Sequence, residues 1–427
     1  MLMNKLEVIA SFDWLKEEET IGILGYDKLP DHDVYSFEYS RQWIKDHPDI
    51  MLGKDLQLFP GKQFSQPGKG IFGCFSDSLP DHWGRVLIEL KEMGSLNIKD
   101  RLRFKLSDWD YLQGVQDILR IGGFRFKNPD TGKYLNASDL NQVPPVLNVE
   151  ELYQAARKIE EGELTREGPD RQWVERLFKP GSSVGGARPK ACVSDGNDLY
   201  IAKFPSTIDR WNEGRWEFFA NKMAEQCGIC TTETKTIRLS DNHDIFLSKR
   251  FDRTSDGQRI HMASALNLLG LTLDDKDHHG YSEIVDLIVA KGTNVEQSLQ
   301  ELYRRVAFTI CIGNADDHLK NHSFLLTRKG WVLSPVYDIN PSVFSSHSLR
   351  IDGLSNESSL DRLYAAHELY HLDSLTAYNI IKDVTRSMKY WQLTAKDCGI
   401  SSDELLLFSD RFEEGMSWDH RDHRGTP

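Results

Sequence analysis

The chain has 427 residues, of which 39% are hydrophobic and 27% are charged, and its formal net charge at pH 7 is -13. A chain of this length has room for about two or three domains with more than one apolar core, and its composition is typical of a soluble globular protein. The acidic balance argues against a large nucleic-acid-binding surface, because such surfaces depend on clustered lysine and arginine.

The sequence predicts no targeting or membrane segment. Charges interrupt the apolar run at the start too early for a signal peptide, and no apolar run approaches the ~20 residues that span a bilayer. We therefore expect a cytoplasmic protein with no membrane partner and with reduced thiols. Cys227 and Cys230 form a CxxC pair, but the chain has no second pair, so we interpret them as core thiols at a helix end rather than half of a zinc site. The other cysteines are Cys74, Cys192, Cys311 and Cys398.

Residues 1–135 are predicted to form a β-rich amino-terminal domain. Short segments at 21–25 and 33–39 have the alternation typical of strands, and the Pro/Gly-rich segment 59–68 is typical of a loop. The motif SDSLPDHWGR (76–85) contains no obvious chemistry, and we interpret it as a packing and turn element.

The middle region, residues 136–257, is predicted to mix helix and strand. A second helix is expected over 211–227, after a first helix over 136–161. The apolar face of the first helix would be formed by Leu147, Leu152, Ala155, Ala156 and Ile159.

A glycine-rich segment at 181–190 leads into two predicted strands that form a hairpin. Reflecting the hairpin about the centre of its Gly-Asn turn places Lys190 opposite Lys203. The glycine segment would then lie beside Lys203, where backbone N–H groups and an ammonium can share phosphate oxygens. Glu217, in the following helix, is a candidate partner that orients Lys203.

Helical periodicity dominates the last region, residues 258–427, as in the segment 301–312. Gly313 is a natural stop for that helix. Beyond a polar loop, apolar segments at 323–326 and 331–333 flank a turn and predict a hairpin.

The polar loop before this hairpin has the spacing of a kinase catalytic loop. Asp316 lies five residues before Asn321, and the hairpin brings Asp338 back to the same end as Asn321. Protein kinases use an aspartate, an asparagine and a second aspartate in this order as the base and two magnesium ligands. Such hard oxygen ligands suit Mg²⁺, which binds few protein carboxylates together with substrate phosphates.

Five motifs resemble, in order and spacing, those of the HipA family of bacterial toxin serine/threonine kinases, and two more resemble the domain that precedes the kinase in that family. The resemblance implies an α+β protein with a HipA-like kinase fold, in which a β-rich amino-terminal domain precedes a mixed kinase N-lobe and an all-helical C-lobe. The kinase motifs are SSVGGARPKA (182–191), IAKF (201–204), FLSKRFDR (246–253), GNADDHLKN (313–321) and PVYDINPS (335–342); the amino-terminal ones are FGCFSDSLPDHWGR (72–85) and IGGFRF (121–126).

The resemblance implies roles for the polar residues of the catalytic loop. Asp316 would be the catalytic base that takes the proton from the acceptor hydroxyl. Asn321 and Asp338 would bind Mg²⁺, and His318 would order the loop.

The resemblance also implies an ATP site. Lys203 would contact the phosphates and Glu217 would position Lys203. Ser183 aligns with the serine that family members autophosphorylate, and Ser182 is the neighbouring alternative. Pro189 departs from the family pattern and removes one N–H donor from the phosphate-binding segment. The other predicted ATP-binding residues are Val184, Gly185, Gly186, Ala187 and Lys190, with Lys249, Arg250 and Phe251 as a hinge that pairs with adenine mainly through backbone groups.

The predicted function is therefore that of an ATP-dependent protein serine/threonine kinase, with ATP and Mg²⁺ as cofactors. The resemblance implies a protein substrate, often in translation, and a small helix-turn-helix antitoxin (HipB-like) through which alone the chain would contact DNA.

Two alternatives remain open at this point. The chain could be a catalytically silent module that keeps the fold to bind an antitoxin or operator complex, although the presence of Asp316, Asn321 and Asp338 counts against this. The segment 314–322 could instead be a metallohydrolase cluster, since its aspartates and histidines can ligate a borderline metal. The ligands would be Asp316, Asp317, His318 and His322, and that reading leaves Lys203 unexplained.

Overall fold

The computed structural model describes residues 4–93, 105–137, 140–162, 177, 188–240, 242–272, 279–342 and 346–418. The glycine-rich segment predicted to bind phosphate, Ser182 to Ala187, lies outside the described residues. The roles predicted for that segment therefore stay predictions.

An antiparallel sheet of five strands in the order β4-β3-β2-β1-β5 forms the centre of the amino-terminal part. The strand predicted at 33–39 is β3, and the strand predicted at 21–25 lies within β2. The sheet is covered by aromatic side chains that are buried in the core, among them Phe37, Trp43 and Phe75. The strands are β1 (Lys5–Ala10), β2 (Glu19–Lys28), β3 (Asp33–Tyr39), β4 (Lys62–Phe64) and β5 (Phe124–Lys127), and the helices of this part are α1 (Arg41–Asp46), α2 (Gly73–Ser76), α3 (His82–Met93) and α4 (Asp108–Gly114).

A second antiparallel sheet, in the order β6-β7-β9-β8, forms the kinase-like part that follows. Its first hairpin has the predicted register, with Lys190 opposite Lys203. The sheet consists of β6 (Lys190–Asp195), β7 (Asp198–Lys203), β8 (Thr234–Arg238) and β9 (Asp244–Lys249), and the helix between β7 and β8 is α6 (Glu213–Gln226).

Helix α6 confirms the helix predicted over 211–227 and packs closely on this sheet. A Cβ at Gly214 would lie 2.2 Å from the carbonyl oxygen of Asp244 in β9, so only glycine permits this approach. Arg215, one residue on, donates two hydrogen bonds of 2.8 and 2.9 Å to the Asp244 carboxylate. These contacts fix the face of α6 that carries Glu217.

The helix predicted over 136–161 is shorter than expected, and α5 spans only Val149–Glu160. Short 3-10 turns at Leu140–Gln142 and Val146–Asn148 precede it. The reason is Pro144-Pro145, because proline lacks an N–H donor and disfavours helical backbone in the residue before it. Leu147 is 91% exposed, so its assignment to the apolar face was wrong, whereas Leu152, Ala155 and Ala156 are buried.

The carboxy-terminal part is dominated by helices, as predicted, and also contains a three-stranded sheet in the order β10-β11-β12. The predicted hairpin is the β11–β12 pair of this sheet. Gly313 ends the long helix α9 with a φ of 69°, as expected for a helix stop. The strands are β10 (Met262–Ser264), β11 (Ser323–Thr327) and β12 (Gly330–Leu333), and the helices are α7 (Ala265–Leu268), α8 (Tyr281–Lys291), α9 (Val295–Ile312), α10 (Leu360–Ala365), α11 (Ser374–Met388), α12 (Trp391–Asp397) and α13 (Ser402–Gly415).

The six cysteines form no disulfide in the structure. Cys227 is buried, but Cys230 is exposed, so the interpretation of both as core thiols was wrong for Cys230. Helix α6 ends before Cys227, and in the extended segment that follows Gly228 the side chain of Ile229 is buried while that of Cys230 points outward. In the part of the chain that the structure describes, no helix is long and apolar enough to cross a membrane.

Candidate active site

A cavity of about 330 Å³ lies where the β6–β9 sheet, the β11–β12 hairpin and part of the amino-terminal region meet. Its lining combines apolar side chains with lysines, carboxylates and Asn321. The apolar side chains are those of Leu79, Ile121, Ile201, Phe246, Phe251 and Met262; the polar ones include Lys190, Lys203, Glu217, Lys320 and Asp338.

Lys203 connects two of the carboxylates that line the cavity. Its Nζ lies 2.6 Å from Oε1 of Glu217 and 2.5 Å from Oδ1 of Asp338. The three residues come from β7, from α6 and from the segment after β12, so the fold brings together side chains that are far apart in sequence. Their convergence was predicted for Lys203 and Glu217, but the contact of Lys203 with Asp338 was not.

The electrostatics of this group favour charged Lys203 and charged Asp338. Burial alone would lower the pKa of Lys203, but the carboxylates of Asp338 and Glu217 raise it above its usual range. Burial alone would raise the pKa of Asp338, but the ammonium groups of Lys203 and Lys190 hold it well below its usual range. The pKa of Glu217 is raised, because its burial outweighs its attraction to Lys203.

Asp338 has the left-handed backbone conformation, with a φ of 58°. A residue with a Cβ adopts this conformation at a cost of about 1 kcal/mol or more. Here the turn directs the carboxylate into the cavity, where Nδ2 of Asn340 also donates to Oδ1 of Asp338 at 3.3 Å. A strained aspartate at the end of a hairpin is typical of a functional site.

The catalytic loop predicted from the sequence borders the same cavity. Asn321 and His318 line it, and Asp316 is exposed to solvent at its edge. Nδ2 of Asn321 donates to the backbone oxygen of Asp316 at 3.1 Å, which links the two predicted functional residues. Because the nitrogen end of the Asn321 amide is used in this way, its oxygen end is available for a cation.

Asp317, which the kinase interpretation had not used, provides the hydrogen bonds that order this loop. Its buried carboxylate accepts a 2.6 Å hydrogen bond from the Tyr281 hydroxyl and lies 3.0 Å from Nε2 of His322. Burial alone would raise the pKa of Asp317, but His322 and Tyr281 hold it below its usual range. His318, to which the loop-ordering role was assigned, lines the cavity, and its buried Nδ1 has no hydrogen-bond partner within the described residues.

These contacts do not support a metallohydrolase cluster at 314–322. Asp317 and His322 are buried against each other, whereas Asp316 faces solvent on the other side of the loop. Within the described ranges, no group of three or more histidine, cysteine, aspartate or glutamate side chains is arranged to hold a metal ion. Asn321 and Asp338 offer two hard oxygen ligands on one cavity, which fits Mg²⁺ when a nucleotide supplies further oxygens.

The predicted hinge contributes Phe251 and backbone groups to the cavity, while the charged ends of its lysine and arginine serve other contacts. Nζ of Lys249 pairs with Asp198 at 2.6 Å. The Arg250 guanidinium lies 2.7 Å from the Leu119 carbonyl oxygen and bonds to the Asp252 carboxylate. The backbone N–H groups of Lys249 and Arg250 donate to the Glu233 and Leu199 carbonyl oxygens, at 2.9 and 2.8 Å, so the predicted pairing with adenine would not use these two N–H groups.

Arg250 and Asp252 belong to a buried contact with the amino-terminal part that we call the clasp. Its backbone groups are those of residues 117–122, which accept hydrogen bonds from three arginines and donate one to Asp252 through the Gly122 N–H, at 2.8 Å. The side chains of the clasp are Arg250, Asp252, Arg253 and Arg259.

Lys190 lines the cavity and is almost completely buried. Burial and the nearby Lys203 ammonium lower its pKa to about 8. Arg188, two residues earlier, is held away from the cavity by a 3.0 Å hydrogen bond to the Phe204 carbonyl oxygen and by an ion pair with Asp209. Of these two cations, Lys190 is therefore the one that lines the cavity.

The amino-terminal motif 76–85, interpreted as packing and turn, also lines the cavity. Four of its residues do so: Asp77, Leu79, Asp81 and His82. Asp81 forms an ion pair with Lys320 of the catalytic loop. The sequence carried no signal for this, since nothing in the motif itself resembles a binding pattern.

Two kinase-like parts around an ion-paired cavity, preceded by a β-rich region, define a kinase-like fold with an additional amino-terminal domain. Among known proteins, residues 182–391 of the chain match the model of the HipA-like C-terminal domain.

The chain also resembles individual members of this group. It is 23% identical over 331 residues to the toxin YjjJ of Escherichia coli K12, an alignment that covers 75% of this chain and 67% of the toxin. It is 23% identical over 190 residues to the serine/threonine-protein kinase toxin HipA of Shewanella oneidensis MR-1, covering 38% of this chain and 43% of that protein.

A solved structure from Shewanella oneidensis MR-1 shares the fold over nearly the whole chain. It is a complex of HipA, HipB and operator DNA, and the match has a TM-score of 0.67 at 18% identity and covers 96% of both chains. The predicted α+β, HipA-like fold is thereby confirmed.

Proposed function

We propose that this protein is an ATP-dependent protein serine/threonine kinase that transfers the γ-phosphate of ATP to a protein hydroxyl. The observation that carries the proposal is the position of Lys203 between Glu217 and Asp338, at 2.6 and 2.5 Å. This is the lysine, glutamate and metal-binding aspartate arrangement that kinases need in place for phosphoryl transfer. The HipA-like domain supports the same reaction class.

The residues that line the cavity suit ATP. Ile201, Phe246 and Phe251 are apolar and can pack against the adenine ring. Lys190 and Lys203 can neutralise phosphate charge.

The chain's own residues would act by positioning and electrostatics. When bound, Mg²⁺ would be held by Asn321 and Asp338 and would neutralise charge on the phosphates. Lys203, held by Glu217, would contact phosphate oxygens. Asp316, which faces solvent at the edge of the cavity, would orient the acceptor hydroxyl and take its proton.

The test compares Asp316→Asn with Lys203→Ala. Asp316→Asn is expected to bind ATP normally and to lose phosphoryl transfer by roughly 10²- to 10⁴-fold, because only the general base is removed. Lys203→Ala is expected to weaken both binding and transfer, because a phosphate contact is lost. Radiolabelled ATP turnover and calorimetric ATP binding measure the two quantities.

Asp286→Asn is a matched control, since Asp286 is an exposed aspartate of α8 in the same part of the molecule. It should leave both quantities unchanged. Near-normal phosphoryl transfer by Asp316→Asn would contradict the proposed mechanism.

We further propose that Ser183, with Ser182 as the alternative, is autophosphorylated and that this inactivates the kinase. A phosphoserine carries a charge of about -1.5 to -2 and would repel the phosphates of ATP. Mass spectrometry of the wild type and of Asp316→Asn, followed by ATP titration of each form, tests this. Full ATP binding by the phosphorylated form would contradict inactivation.

The proposed partners follow from the relatives. The HipA of the solved complex is assembled with HipB and operator DNA, and we propose a comparable small helix-turn-helix antitoxin for this chain, with DNA contacted only through it. The substrate would be a cytoplasmic protein, with translation components as the first candidates. A phosphoproteome comparison of cells that express the wild type or Asp316→Asn would identify it.

A further inference from the structure

The wall of the cavity opposite the Lys203 group is formed by the amino-terminal motif 76–85. This motif precedes the HipA-like C-terminal domain in the chain by almost a hundred residues, yet Asp77 and Asp81 face the same cavity as Lys203 and Asn321. The amino-terminal part thus supplies carboxylates to the candidate active site.

The motif is anchored on both sides of the cavity. The Asp77 carboxylate accepts hydrogen bonds of 2.7 and 3.0 Å from the backbone N–H and hydroxyl of Ser264, at the end of β10. The Trp83 indole donates to the Lys190 carbonyl oxygen at 3.0 Å, at the start of β6. Asp81 lies between these two anchors, so its position is set by both kinase-like parts.

The partner of Asp81 is Lys320, which lies in the catalytic loop directly before Asn321. The backbone oxygen of Lys320 accepts a 2.6 Å hydrogen bond from the Tyr337 hydroxyl, and Tyr337 directly precedes Asp338. Its ammonium is paired with Asp81. Lys320 is therefore held at its backbone by the metal-binding segment and at its charge by the amino-terminal motif.

The charge of Asp81 matters because the cavity already holds several cations. Lys190 lies against Lys203, and Asp81 is one of the carboxylates that offset the positive charge of Lys190. Without Asp81, the Lys320 ammonium would lose its partner and could turn to other acceptors, such as the carboxylate of Asp338. A long lysine side chain has many rotamers and needs a fixed counter-charge to stay in one.

We infer that Asp81 is a positioning residue of the active site, which holds the Lys320 ammonium in the orientation that the catalytic loop needs for phosphoryl transfer. The amino-terminal motif 76–85 is then a structural part of the catalytic unit. This inference rests on the proposed kinase function and names a residue outside the HipA-like C-terminal domain as necessary for it.

The experiment is a double-mutant cycle with Asp81→Asn, Lys320→Met and the double variant, in which kcat and the KM for ATP are measured. Asp81→Asn is expected to lower kcat about tenfold with less than about a twofold change in KM, since misplacement of a positioned group costs rate more than binding. Lys320→Met should cost at least as much, and the double variant should be no worse than Lys320→Met, because Asp81 acts through Lys320. An unchanged kcat in Asp81→Asn, or losses that multiply in the double variant, would overturn the role.

Glu18→Gln is the matched control, because Glu18 pairs with Arg125 at 2.7 Å in the same amino-terminal part, outside the motif 76–85, and does not line the cavity. Its kcat should equal that of the wild type. Asp81→Glu keeps the charge and should restore part of kcat, which a role in folding alone would not predict.

A second readout does not depend on activity. Peptide mass spectrometry can follow the rate at which an amine-reactive ester modifies Lys320 in the wild type and in Asp81→Asn. The rate should rise severalfold when the ion pair is removed, since the contact with Asp81 limits the access of the reagent to the Lys320 ammonium. An equal rate in the two proteins would overturn the inference, whether or not the preparation transfers phosphate. If Lys320 is modified faster in Asp81→Asn but the wild type transfers no phosphate, only the proposed kinase function is contradicted.

Discussion

The cavity and the clasp are built from the same chemistry, a basic side chain with an aspartate, but they differ in what surrounds each charge. In the cavity, the side chain of Asp338 is 37% exposed and Lys203 is 12% exposed. In the clasp, Arg250 and Asp252 are 3% and 4% exposed. The cavity therefore leaves room for a ligand beside its charges, whereas protein atoms surround those of the clasp.

The clasp contains many internal hydrogen bonds. Asp252 accepts from Arg250, from Arg253 at 2.8 Å and from the Gly122 N–H, while the arginines donate to carbonyl oxygens of the amino-terminal part. Burial alone would raise the pKa of Asp252, but Arg250 and Arg253 hold it well below its usual range. Removing one charge here should affect folding, and removing one charge from the cavity should affect ligand binding.

The largest effect that would sharpen this comparison is expected for Asp338→Ala. We expect kcat/KM to fall on the order of 10²- to 10³-fold, because the charge that holds Lys203 and a proposed Mg²⁺ ligand are lost together. Addition of ATP with Mg²⁺ should raise the melting temperature of the wild type by mass action. In Asp338→Ala, the part of this shift that requires Mg²⁺ should disappear.

The control for that measurement is ATP with a chelator, which should stabilise the wild type and Asp338→Ala to the same small extent. A full Mg²⁺-dependent shift in Asp338→Ala would mean that the metal, if it binds, uses other ligands. Asp338 would then not differ from Asp252 of the clasp in having a role in ligand binding.

The next largest effect is expected for Asp252→Asn, in stability. Breaking a buried ion pair on one side leaves uncompensated charge and costs about 3–5 kcal/mol. Urea unfolding should show this loss. Asp252 also lines the cavity, but its side chain is only 4% exposed, so the folded fraction should keep most of its affinity for ATP. Asp256→Asn, at an exposed turn four residues away, should change the free energy of unfolding little. If Asp252→Asn were as stable as the wild type but bound ATP weakly, the charge of Asp252 would serve ligand binding rather than folding.

The cavity was more predictable from the sequence than the clasp. The position of Lys190 opposite Lys203, and of Asn321 and Asp338 at one end of a hairpin, could be predicted, because strand register and hairpin geometry depend on local patterns. The contact of Lys203 with Asp338 was not predicted. The pairing of Lys190 with Lys203 shows this, since it follows from the centre of one turn.

The clasp and the amino-terminal wall could not be predicted, because their contacts join residues more than a hundred positions apart. In the clasp the acceptors are backbone carbonyls, which have no sequence signature, so the Arg250 to Leu119 contact leaves no pattern to find. In the wall, Asp81 and Lys320 are paired through their side chains, but across 239 positions, and no local pattern relates them. The loop-ordering role of Asp317 was not predicted for a related reason, since its partner Tyr281 lies on α8, 36 positions earlier in the chain.

The smallest effect concerns pH and a histidine at the border between the amino-terminal part and β10. His261 is 2% exposed and stacks on Phe12 with a centroid distance of 4.9 Å. Burial lowers its pKa to about 3. Above pH ~6.5, the ordinary pKa of an unfolded histidine, the group is neutral in both states. As pH falls from there toward 3, the unfolded state takes up a proton that the folded state does not, so stability is lost.

We expect this single histidine to cost the wild type about 1 kcal/mol of stability at pH 5.5 relative to pH 8. His261→Phe keeps a ring among its aromatic neighbours and cannot titrate, so its free energy of unfolding should fall less over the same interval. His347, whose burial lowers its pKa to about 4, titrates in both proteins and cancels from the difference. Urea unfolding of the two proteins at both pH values measures this difference, and equal pH dependence would show that His261 is protonated in the folded protein. In that case the contact between His261 and the amino-terminal part would be open to water, as the cavity is. It would then differ from the clasp, whose charges are almost completely buried.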